Sequence, residues 1–333
     1  MLLNAKKIEH KKQGLKATQS ISKKLGIKLD GTFVSDIMKE DLKLRVLKLN
    51  KKGVFPKIVT IYNVLDASSE KYVDMKSREC EKIGIISQKI MVDNSTTTED
   101  IVKIVQRCNE DNNVMGILIQ HPLPKQIDED LIFSMVSPEK DVDGVNPVSF
   151  GNSAFNTNAK SFKSATPYGI ELLLDYYNLL EPGKDAIIIG KSRILGKPLA
   201  EYLQNRGIET RVCGRNSQNL AEKIKQADYI FGCAGCPELI KLANVKDGAI
   251  IVDAGCNIIK DENGKTRVVG DFERLLDRDK QRLKAYTLPT GGIGPMTIAT
   301  LLLQLVEASE KFAEKMKEEE MNKSQHCLDE YMK

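Results

Sequence analysis

The segment AIIIGKSRILGKP, residues 186–198, decides the fold of the second half of the chain. It predicts a buried, β-branched strand over Ala186–Ile189, then a glycine-bearing turn and the start of a helix. This arrangement presents backbone N–H groups to a pyrophosphate. Gly190 and Gly196 do not have the spacing of G-x-G-x-x-G. An ordinary strand-to-helix turn that needs glycine for backbone reasons therefore explains the segment equally well.

The end of the following strand bears on the choice of cofactor. It lies roughly 20 residues after the turn, where an NAD-specific fold places Asp or Glu on the ribose hydroxyls. This chain has Arg215 there instead, and Lys191 lies in the first turn. Two cations suit a 2′-phosphate, so we predict NADP, with NAD as the alternative. The competing interpretation is that both are merely exposed charges, as most Lys and Arg are.

Outward from this segment, strands and helices alternate along the chain. In the second half we predict strands over Ala186–Ile189, Glu209–Cys213, Tyr229–Gly232, Ala249–Val252 and Ala285–Leu288. A helix is expected to begin at Thr166-Pro167 and to end at residues 181–183. Thr297 is expected to cap a long helix with one apolar face.

The first half shows the same alternation. We predict strands over Lys57–Ile61, Ile85–Val92 and Val114–Ile119, and helices over Met38–Leu49, Ser68–Lys82 and Thr96–Glu110. Ser68 or Ser69 is the expected cap of the second of these helices. Repeated βα units imply a mostly parallel sheet with helices on its faces. Residues 146–163 show no period and are predicted to be a linker or a long loop.

Composition excludes several classes of protein. The chain has 333 residues, 41% hydrophobic and 29% charged, which is ordinary for a soluble globular protein of about two domains. A net charge of +4 is too balanced for a general nucleic-acid binder. The apolar runs are far shorter than the roughly 20 residues of a membrane span. We therefore expect neither a nucleic-acid nor a membrane partner.

The seven cysteines indicate a reducing compartment. Their number is odd and no apolar signal segment precedes them, so we predict a cytoplasmic protein. Cys233 and Cys236 form a C-x-x-C, but no second pair or nearby His completes a zinc set, and no metal site is predicted. A tight backbone turn is the favoured interpretation of this pair.

Candidate catalytic residues lie in the first half. Tyr72 and Lys76 are four residues apart in a predicted helix and so share one face. Such a Lys is usually solvated, but in a partly buried cleft its lowered pKa would give it a useful proton. Gln120 follows a predicted strand, at the sheet edge where ligands bind. Asp143 lies in a polar loop, residues 138–144, that by itself suggests a turn.

These residues belong to an ordered set of motifs. They are Ser69-x-x-Tyr72-Val73-x-x-Lys76, GILIQHPLP (116–124), PEKDVDG (138–144), Thr166-Pro167-x-Gly169, Gly190-x-Ser192-x-x-x-Gly196-x-Pro198, Val252-Asp253-x-Gly255, Gly270-Asp271 and GGIGPMT (291–297). With them the chain resembles the bifunctional methylenetetrahydrofolate dehydrogenase/methenyltetrahydrofolate cyclohydrolase family, from about Leu29 to Val306. Each motif is weak alone, whereas their order is specific.

The resemblance implies an activity. The enzyme would oxidise 5,10-methylenetetrahydrofolate with NADP to 5,10-methenyltetrahydrofolate and then hydrolyse the product to 10-formyltetrahydrofolate, in one-carbon metabolism and purine biosynthesis. It implies catalytic roles for Lys76, Gln120 and Asp143, with Asp143 anchoring the pterin, and stacking of Tyr72 on the substrate ring. Further substrate-binding residues would be Gly291, Gly292 and Pro295. The implied cofactor-binding residues are Gly190, Lys191, Ser192, Gly196, Arg215 and Thr297.

The resemblance also implies an architecture of two α/β domains with a cleft between them. The folate-binding, catalytic domain would comprise residues 1–165 and 297–333, with 1–28 as a basic N-terminal arm. Residues 166–296 would form a Rossmann-like NAD(P)-binding domain with a parallel sheet. A homodimer formed through the cofactor domains is expected.

Some positions depart from the family pattern. The glycine turn usually begins Gly-Arg-Ser, and here Lys191 replaces the Arg. His-Ser often follows the Cys of the second strand, and here Gly214-Arg215 does. The Arg is therefore found after the second strand instead of in the glycine turn. Pro usually precedes the Gly-Gly loop, and here Thr290 does. His121 stands where Leu is common, and it either lines the cleft or, as is more usual for a lone His, is packed or faces solvent.

Three alternatives stay open at this point. A monofunctional methylenetetrahydrofolate dehydrogenase would keep the cofactor residues and lose the Lys, but Lys76 and Gln120 are both present. A non-catalytic folate- or nucleotide-binding protein could use the same fold. An unrelated NADP dehydrogenase would not need the PEKDVDG and GGIGPMT motifs.

Overall fold

The computed structural model describes residues 25–154, 161–260 and 266–331. They fall into two compact units. The six-strand unit contains the described residues of 25–38, 150–154 and 163–300. The three-strand unit contains 39–149, 161–162 and 301–331.

Eleven strands in the described ranges form two parallel sheets and one antiparallel pair. In chain order they are β1 (Ile27–Lys28), β2 (Lys57–Asn63), β3 (Ile86–Val92), β4 (Gly116–Gln120), β5 (Asp185–Ile189), β6 (Glu209–Cys213), β7 (Tyr229–Gly232), β8 (Ile250–Asp253), β9 (Asn257–Lys260), β10 (Thr266–Val269) and β11 (Ala285–Tyr286). The larger sheet has the order β1-β11-β8-β7-β5-β6, and the smaller has the order β3-β2-β4. Every pairing in these two sheets is parallel, as the βα alternation predicts.

Helices connect these strands. They are α1 (Gly31–Asn50), α2 (Ala67–Lys82), α3 (Thr98–Glu110), α4 (Glu129–Met135), α5 (Pro147–Ala154), α6 (Ala165–Tyr176), α7 (Gly196–Gln204), α8 (Leu220–Gln226), α9 (Asp277–Arg282) and α10 (Ile293–Tyr331). Both α1 and α10 contribute residues to the two units. The predicted fold class, two α/β domains with parallel sheets, is therefore confirmed.

Apolar burial explains both sheets. In the six-strand unit, β5, β7 and β8 read as near-continuous apolar runs because a parallel sheet is covered on both faces. Ile187, Ile230 and Ile251 lie in the core of this unit. In the three-strand unit, Ile61 and Ile117 pack against Ile101 of α3 and are almost fully buried. In both units, the carboxyl ends of parallel strands lead into loops that carry polar residues.

Several helix boundaries differ from the predicted ones. Asp66, rather than Ser68 or Ser69, caps α2, since its carboxylate accepts the N–H of Ser68. The helix expected from Thr166 begins at Ala165 and ends at Tyr176, before residues 181–183. Thr297 does not cap α10, which begins at Ile293. Its hydroxyl lies inside the first turns and bonds the Ile293 carbonyl oxygen at 3.2 Å.

The N-terminal region also differs from the prediction. Ile27 and Lys28, expected in a basic arm, form β1 at the edge of the larger sheet by pairing with β11. The rest of the arm lies outside the described residues. Helix α1 begins seven residues before the expected Met38, at Gly31, because the Asp30 carboxylate accepts the N–H of Phe33 at 3.1 Å. Compactness therefore groups residues 25–38 with the six-strand unit.

Two other segments were not anticipated. The predicted linker over 146–163 contains helix α5, and the Asn146 side chain accepts the N–H of Val148 at 2.7 Å where that helix begins. Strands β9 and β10 form an antiparallel pair after β8. Their short, mixed sequences carry no clear period, so pattern alone did not reveal them.

Candidate active site

Lys76 is placed by helix α2 in the three-strand unit. The helix buries Val73, Ser77 and Cys80 on one face, and Lys76 stands beside that face. Its Nζ atom donates a hydrogen bond to Oε1 of Gln120 at 3.0 Å. The two residues are 44 positions apart in sequence. The sheet brings them together because α2 follows β2 and β4 pairs with β2.

Gln120 is the last residue of β4, in register with Tyr62 of β2. Its side-chain Nε2 donates to the carbonyl oxygen of His121 at 3.0 Å. This bond fixes the orientation of the amide, so that Oε1 is the atom presented to Lys76. The predicted catalytic partners are therefore in direct contact, and the position at the carboxyl end of a parallel strand is where open α/β sheets bind ligands.

Asp143 is the charge partner of Lys76. Burial lowers the pKa of Lys76, and the Asp143 carboxylate opposes part of that shift. Burial also raises the pKa of Asp143, and the Lys76 ammonium opposes it. Both groups are thus moved toward their neutral forms, which is the condition for proton transfer near neutral pH. Carboxylate, amine and amide converge within the three-strand unit.

Tyr72 lies one turn before Lys76 on the same face of α2, as the spacing predicts. Its side chain is about one third exposed. A tyrosine in that position has ring surface available for a flat ligand next to the amine. The stacking role of Tyr72 stays a prediction.

His121 directly follows Gln120, but its side chain has a different environment. Its Nδ1 atom lies 2.8 Å from Oε2 of Glu129, and its side chain is 54% exposed. The hydrogen bond to Glu129 raises the pKa of His121. The other carboxylate oxygen of Glu129 accepts the N–H of Leu123. His121 is therefore a solvent-facing partner of a carboxylate, which agrees with the more usual of the two interpretations given for a lone His.

The glycine turn after β5 is built without room for side chains. Gly190 has a φ of +144°, and a Cβ there would lie 2.0 Å from the Cys233 carbonyl oxygen. A Cβ on Gly196 would lie 1.9 Å from the carbonyl oxygen of Gly190. The Ser192 hydroxyl accepts the N–H of Gly196 at 3.3 Å, where α7 begins. A bare backbone turn leading into a helix N-terminus fits a pyrophosphate.

The two predicted cations lie at the same end of the sheet. A Cβ on Gly214 would be 3.5 Å from Cε of Lys191 and 4.0 Å from its Nζ, so this side chain lies over the backbone next to Arg215. Arg215 is exposed, and its Nη1 is 3.7 Å from Sγ of Cys236. Lys191 and Arg215 each lie two residues after the end of one of the paired strands β5 and β6, and their role at a 2′-phosphate stays a prediction. Their charges and the turn fit a dinucleotide that carries that group.

The C-x-x-C segment is a backbone turn. The carboxylate of Asp271 accepts the N–H groups of Ala234, Gly235 and Cys236 at 2.5–3.1 Å. Burial raises the pKa of Cys233, so its thiol is not a nucleophile. The carboxylate of Asp253 in turn accepts the N–H of Asp271 at 3.0 Å. The motifs around Asp253 and Asp271 therefore support the loops next to the glycine turn.

The Gly-Gly loop belongs to the six-strand unit. Gly291 has a φ of +75°, and its carbonyl oxygen accepts the N–H of Thr32 at 3.0 Å. A Cβ on Gly31 would lie 1.7 Å from the carbonyl oxygen of Gly292. Pro295 falls in the first turn of α10, and the Thr297 hydroxyl bonds that of Thr166 at 3.2 Å. The substrate and cofactor roles predicted for these residues stay predictions.

The residues that the structure describes contain neither a metal-binding cluster nor a membrane-spanning helix. No group of three or more His, Cys, Asp or Glu side chains among them could hold a metal ion. None of the helices in the described ranges is long and apolar enough to cross a membrane.

Comparison with known families matches about four fifths of the chain. Residues 29–143 match the catalytic domain of tetrahydrofolate dehydrogenase/cyclohydrolase. Residues 164–313 match the NAD(P)-binding domain of the same enzyme family. The first range contains Tyr72, Lys76, Gln120 and Asp143, and the second contains the glycine turn.

Individual relatives agree with these matches. Bifunctional protein FolD of Cellvibrio japonicus is 44% identical over 284 residues, which cover 85% of this chain and 97% of that protein. The crystal structure of the bifunctional FolD enzyme of Campylobacter jejuni superposes with a TM-score of 0.80 at 36% identity, covering 85% of this chain and 98% of its own. FolD of Trypanosoma brucei, solved with NADP and an inhibitor, gives a TM-score of 0.81 at 26% identity, covering 86% and 98%.

Proposed function

This chain belongs to the tetrahydrofolate dehydrogenase/cyclohydrolase family and has both of its domains, and we propose how its residues perform the two reactions. The enzyme oxidises 5,10-methylenetetrahydrofolate with NADP to 5,10-methenyltetrahydrofolate. It then hydrolyses that product to 10-formyltetrahydrofolate. Relatives named bifunctional protein FolD align over 97% of their length. The Campylobacter jejuni structure, whose name gives both activities, is covered over 98% of its chain, and both findings support the two reactions here.

The observation that carries the residue assignment is the bond from Lys76 Nζ to Gln120 Oε1, formed beside the Asp143 carboxylate. A monofunctional dehydrogenase would have no need of an amine with a lowered pKa at this position. Hydrolysis does need one, because protons move in that reaction. The geometry therefore favours the bifunctional enzyme over the monofunctional alternative.

Lys76 handles the protons of the hydrolysis. Water adds to the one-carbon centre of the methenyl cation, and the neutral amine of Lys76 accepts one of its protons. The bond from that carbon to N5 then breaks, and Lys76 returns the proton to N5. The second proton of water leaves to solvent, so the products are 10-formyltetrahydrofolate and H⁺. Gln120 holds the amine in place through its fixed amide.

Asp143 recognises the substrate. Its carboxylate pairs with the amino and ring N–H donors of the pterin, and such charge-assisted bonds are among the strong ones. The same carboxylate opposes the effect of burial on Lys76. Tyr72 stacks on the flat part of the substrate beside the amine. Binding and proton transfer thus share neighbouring groups.

The six-strand unit binds the dinucleotide. When bound, nicotinamide accepts a hydride from the one-carbon unit at its C4. The backbone turn at Gly190, Ser192 and Gly196 holds the pyrophosphate, and Lys191 and Arg215 hold the 2′-phosphate. Gly291, Gly292, Pro295 and Thr297 are proposed to border the substrate and the nicotinamide. Hydride transfer depends mainly on alignment, so no acid or base of the chain is required for it.

A spectroscopic assay of the purified protein tests this function. Methylenetetrahydrofolate is supplied with NADP or with NAD, and reduced cofactor and methenyl absorbance are followed separately. We expect turnover with NADP and decay of the methenyl signal to 10-formyltetrahydrofolate. Binding of NADP without turnover of either substrate would favour the non-catalytic alternative, and dehydrogenation without hydrolysis would favour the monofunctional one.

Assembly and location extend the proposal. We propose a homodimer formed through the six-strand unit. This is supported by β9 and β10, a two-stranded ribbon on which Ile258 is 64% and Val268 is 41% exposed. Free cysteines, such as the buried Cys80 and Cys108, favour a reducing compartment, and we propose the cytoplasm. The 10-formyl product suits a donor of one-carbon units for purine biosynthesis.

A further inference from the structure

The loop that presents Asp143 is anchored on one side by the carboxylate of another of its residues, Asp141. Asp141 is 1% exposed, and its two oxygens accept the N–H groups of Val145 at 3.1 Å and Asn146 at 2.9 Å. The Asn146 side chain continues this anchor by donating to the carbonyl oxygens of Ser134 and Val136 at 3.1 and 2.8 Å. The residues that follow Asp143 are therefore fixed to the end of α4.

The residues that precede Asp143 are anchored from α10. Gln304 is 1% exposed, and its Nε2 donates to the carbonyl oxygen of Val142 at 2.8 Å. Val142 is fully buried, and its side chain lies so close to Gly116 that a Cβ there would meet it at 2.9 Å. Position 142 thus has little freedom, and Asp143 is held between two fixed points.

Gln304 is an unusual residue for its place. Its neighbours Leu301, Leu302, Leu305 and Val306 are buried apolar residues of the same helix segment. A buried amide costs free energy unless it is hydrogen-bonded, whereas an apolar side chain would pack there without that requirement. The amide therefore occupies a position where packing alone does not need it. Its identified acceptor is the backbone carbonyl directly before Asp143.

We propose that Gln304 is a positioning residue for folate recognition, which acts by fixing the backbone that carries Asp143. This rests on the proposed function, in which Asp143 binds the pterin. A displacement of about 1 Å at a binding group can change activity by roughly a hundredfold. The long C-terminal helix is in this way part of the substrate site, although none of the motifs quoted above includes Gln304.

A double-mutant cycle tests the proposal on the full chain. Gln304→Met removes the donor and keeps the length of the side chain. We expect it to raise KM for methylenetetrahydrofolate by about tenfold or more while the dissociation constant for NADP stays unchanged. In Asp143→Asn, which already lacks the carboxylate, adding Gln304→Met should cause almost no further loss, because coupled residues are not additive.

Ser309→Ala is the matched control. Ser309 lies on the same helix, is equally buried and donates its hydroxyl to the Leu305 carbonyl oxygen at 2.8 Å, away from the loop. It should lower the unfolding temperature without changing KM for the folate. If Gln304→Met does not fold, Gln304→Glu, which keeps the shape and loses the amide donor, takes its place in the cycle.

The outcomes separate the two hypotheses. If Asp143→Asn leaves folate binding unchanged, the proposed role of Asp143 fails. If Asp143→Asn weakens folate binding but Gln304→Met does not, or if the two losses are additive, the role of Gln304 is overturned. Equal weakening of folate and NADP by Gln304→Met would also overturn it, since that is the signature of general destabilisation.

Discussion

The two predicted ligand sites are built in opposite ways. In the three-strand unit, burial shifts the pKa values of Lys76 and Asp143, and Gln120 accepts a hydrogen bond from the Lys76 amine. In the six-strand unit, the glycine turn presents bare backbone to a ligand, and the side chains of Lys191 and Arg215 are exposed to solvent. The first site prepares a proton, whereas the second recognises fixed charge.

The difference follows from what each ligand demands. Proton transfer requires a group whose two protonation states are close in free energy, and burial supplies that condition. A phosphate is anionic at every physiological pH, so an exposed cation can bind it without a shifted pKa. Substitutions in the enclosed site should therefore change catalysis, and those in the exposed site should change cofactor affinity.

The largest effect is expected from Lys76→Met. Removing the amine should slow hydrolysis of methenyltetrahydrofolate by about 10²-fold or more, the usual scale for general acid–base work. The dehydrogenase should fall less, since hydride transfer does not need that proton. The decay of methenyl absorbance measures the first reaction. Lys82→Met, at the exposed end of the same helix, is the control and should be almost silent. A folded Lys76→Met protein with near-normal hydrolysis would contradict the assignment.

Asp143→Asn should come next. Asp143→Asn leaves the pterin donors without a charged partner. The loss of one charge-assisted hydrogen bond costs about 1.5–3 kcal/mol, which corresponds to roughly tenfold to a hundredfold in affinity. Folate binding should weaken while NADP binding stays nearly constant, as measured by titration of each ligand. Equal weakening of both ligands would make Asp143 a structural residue and would remove the contrast between the two sites.

Arg215→Ser probes the exposed site. We expect KM for NADP to rise at least about tenfold, because one charge-assisted bond of about 1.5–3 kcal/mol is lost, with KM for NAD almost unchanged. The preference for NADP should shrink at high salt, as exposed charges are screened. Arg211→Ser removes another exposed Arg of the same strand region, one that pairs with Asp185, and serves as the control. Equal efficiency of wild type with both cofactors would refute the assignment.

The smallest effect is expected at His121. Its pKa is raised by Glu129, so the pair stabilises the fold fully below the unfolded His pKa of about 6.5. That stabilisation is lost as pH rises through the raised value. At a half-exposed pair it should be no more than about 1 kcal/mol.

Urea unfolding of wild type and His121→Gln at pH 5.5 and pH 8.5 measures this contribution. The free-energy difference between the proteins should be larger at the lower pH, and hydrolysis should be almost unchanged. A large loss of hydrolysis in His121→Gln would instead place this residue in the reaction. His121 would then affect catalysis, as the residues of the enclosed site are expected to, although its side chain is exposed.

Local patterns predicted much of this protein. The β-branched runs Ala186–Ile189 and Lys57–Ile61 predicted buried parallel strands, because only such runs suit a sheet that is covered on both faces. The i, i+4 spacing placed Tyr72 and Lys76 on one helix face. Boundaries were less accurate. The cap of α2 is Asp66, and α10 begins before Thr297, because caps depend on which side chain reaches a free N–H group.

Residue types and local spacing predicted the fold class, and the order of the motifs along the chain indicated the family and its catalytic candidates. The tertiary structure alone decided which candidates meet. Gln120 lies within 3.0 Å of Lys76 only because β4 pairs with β2. Gln304 lies 2.8 Å from the carbonyl oxygen of Val142 across 162 residues of chain. A local pattern cannot contain such contacts, because their cause is the packing of distant segments into one core.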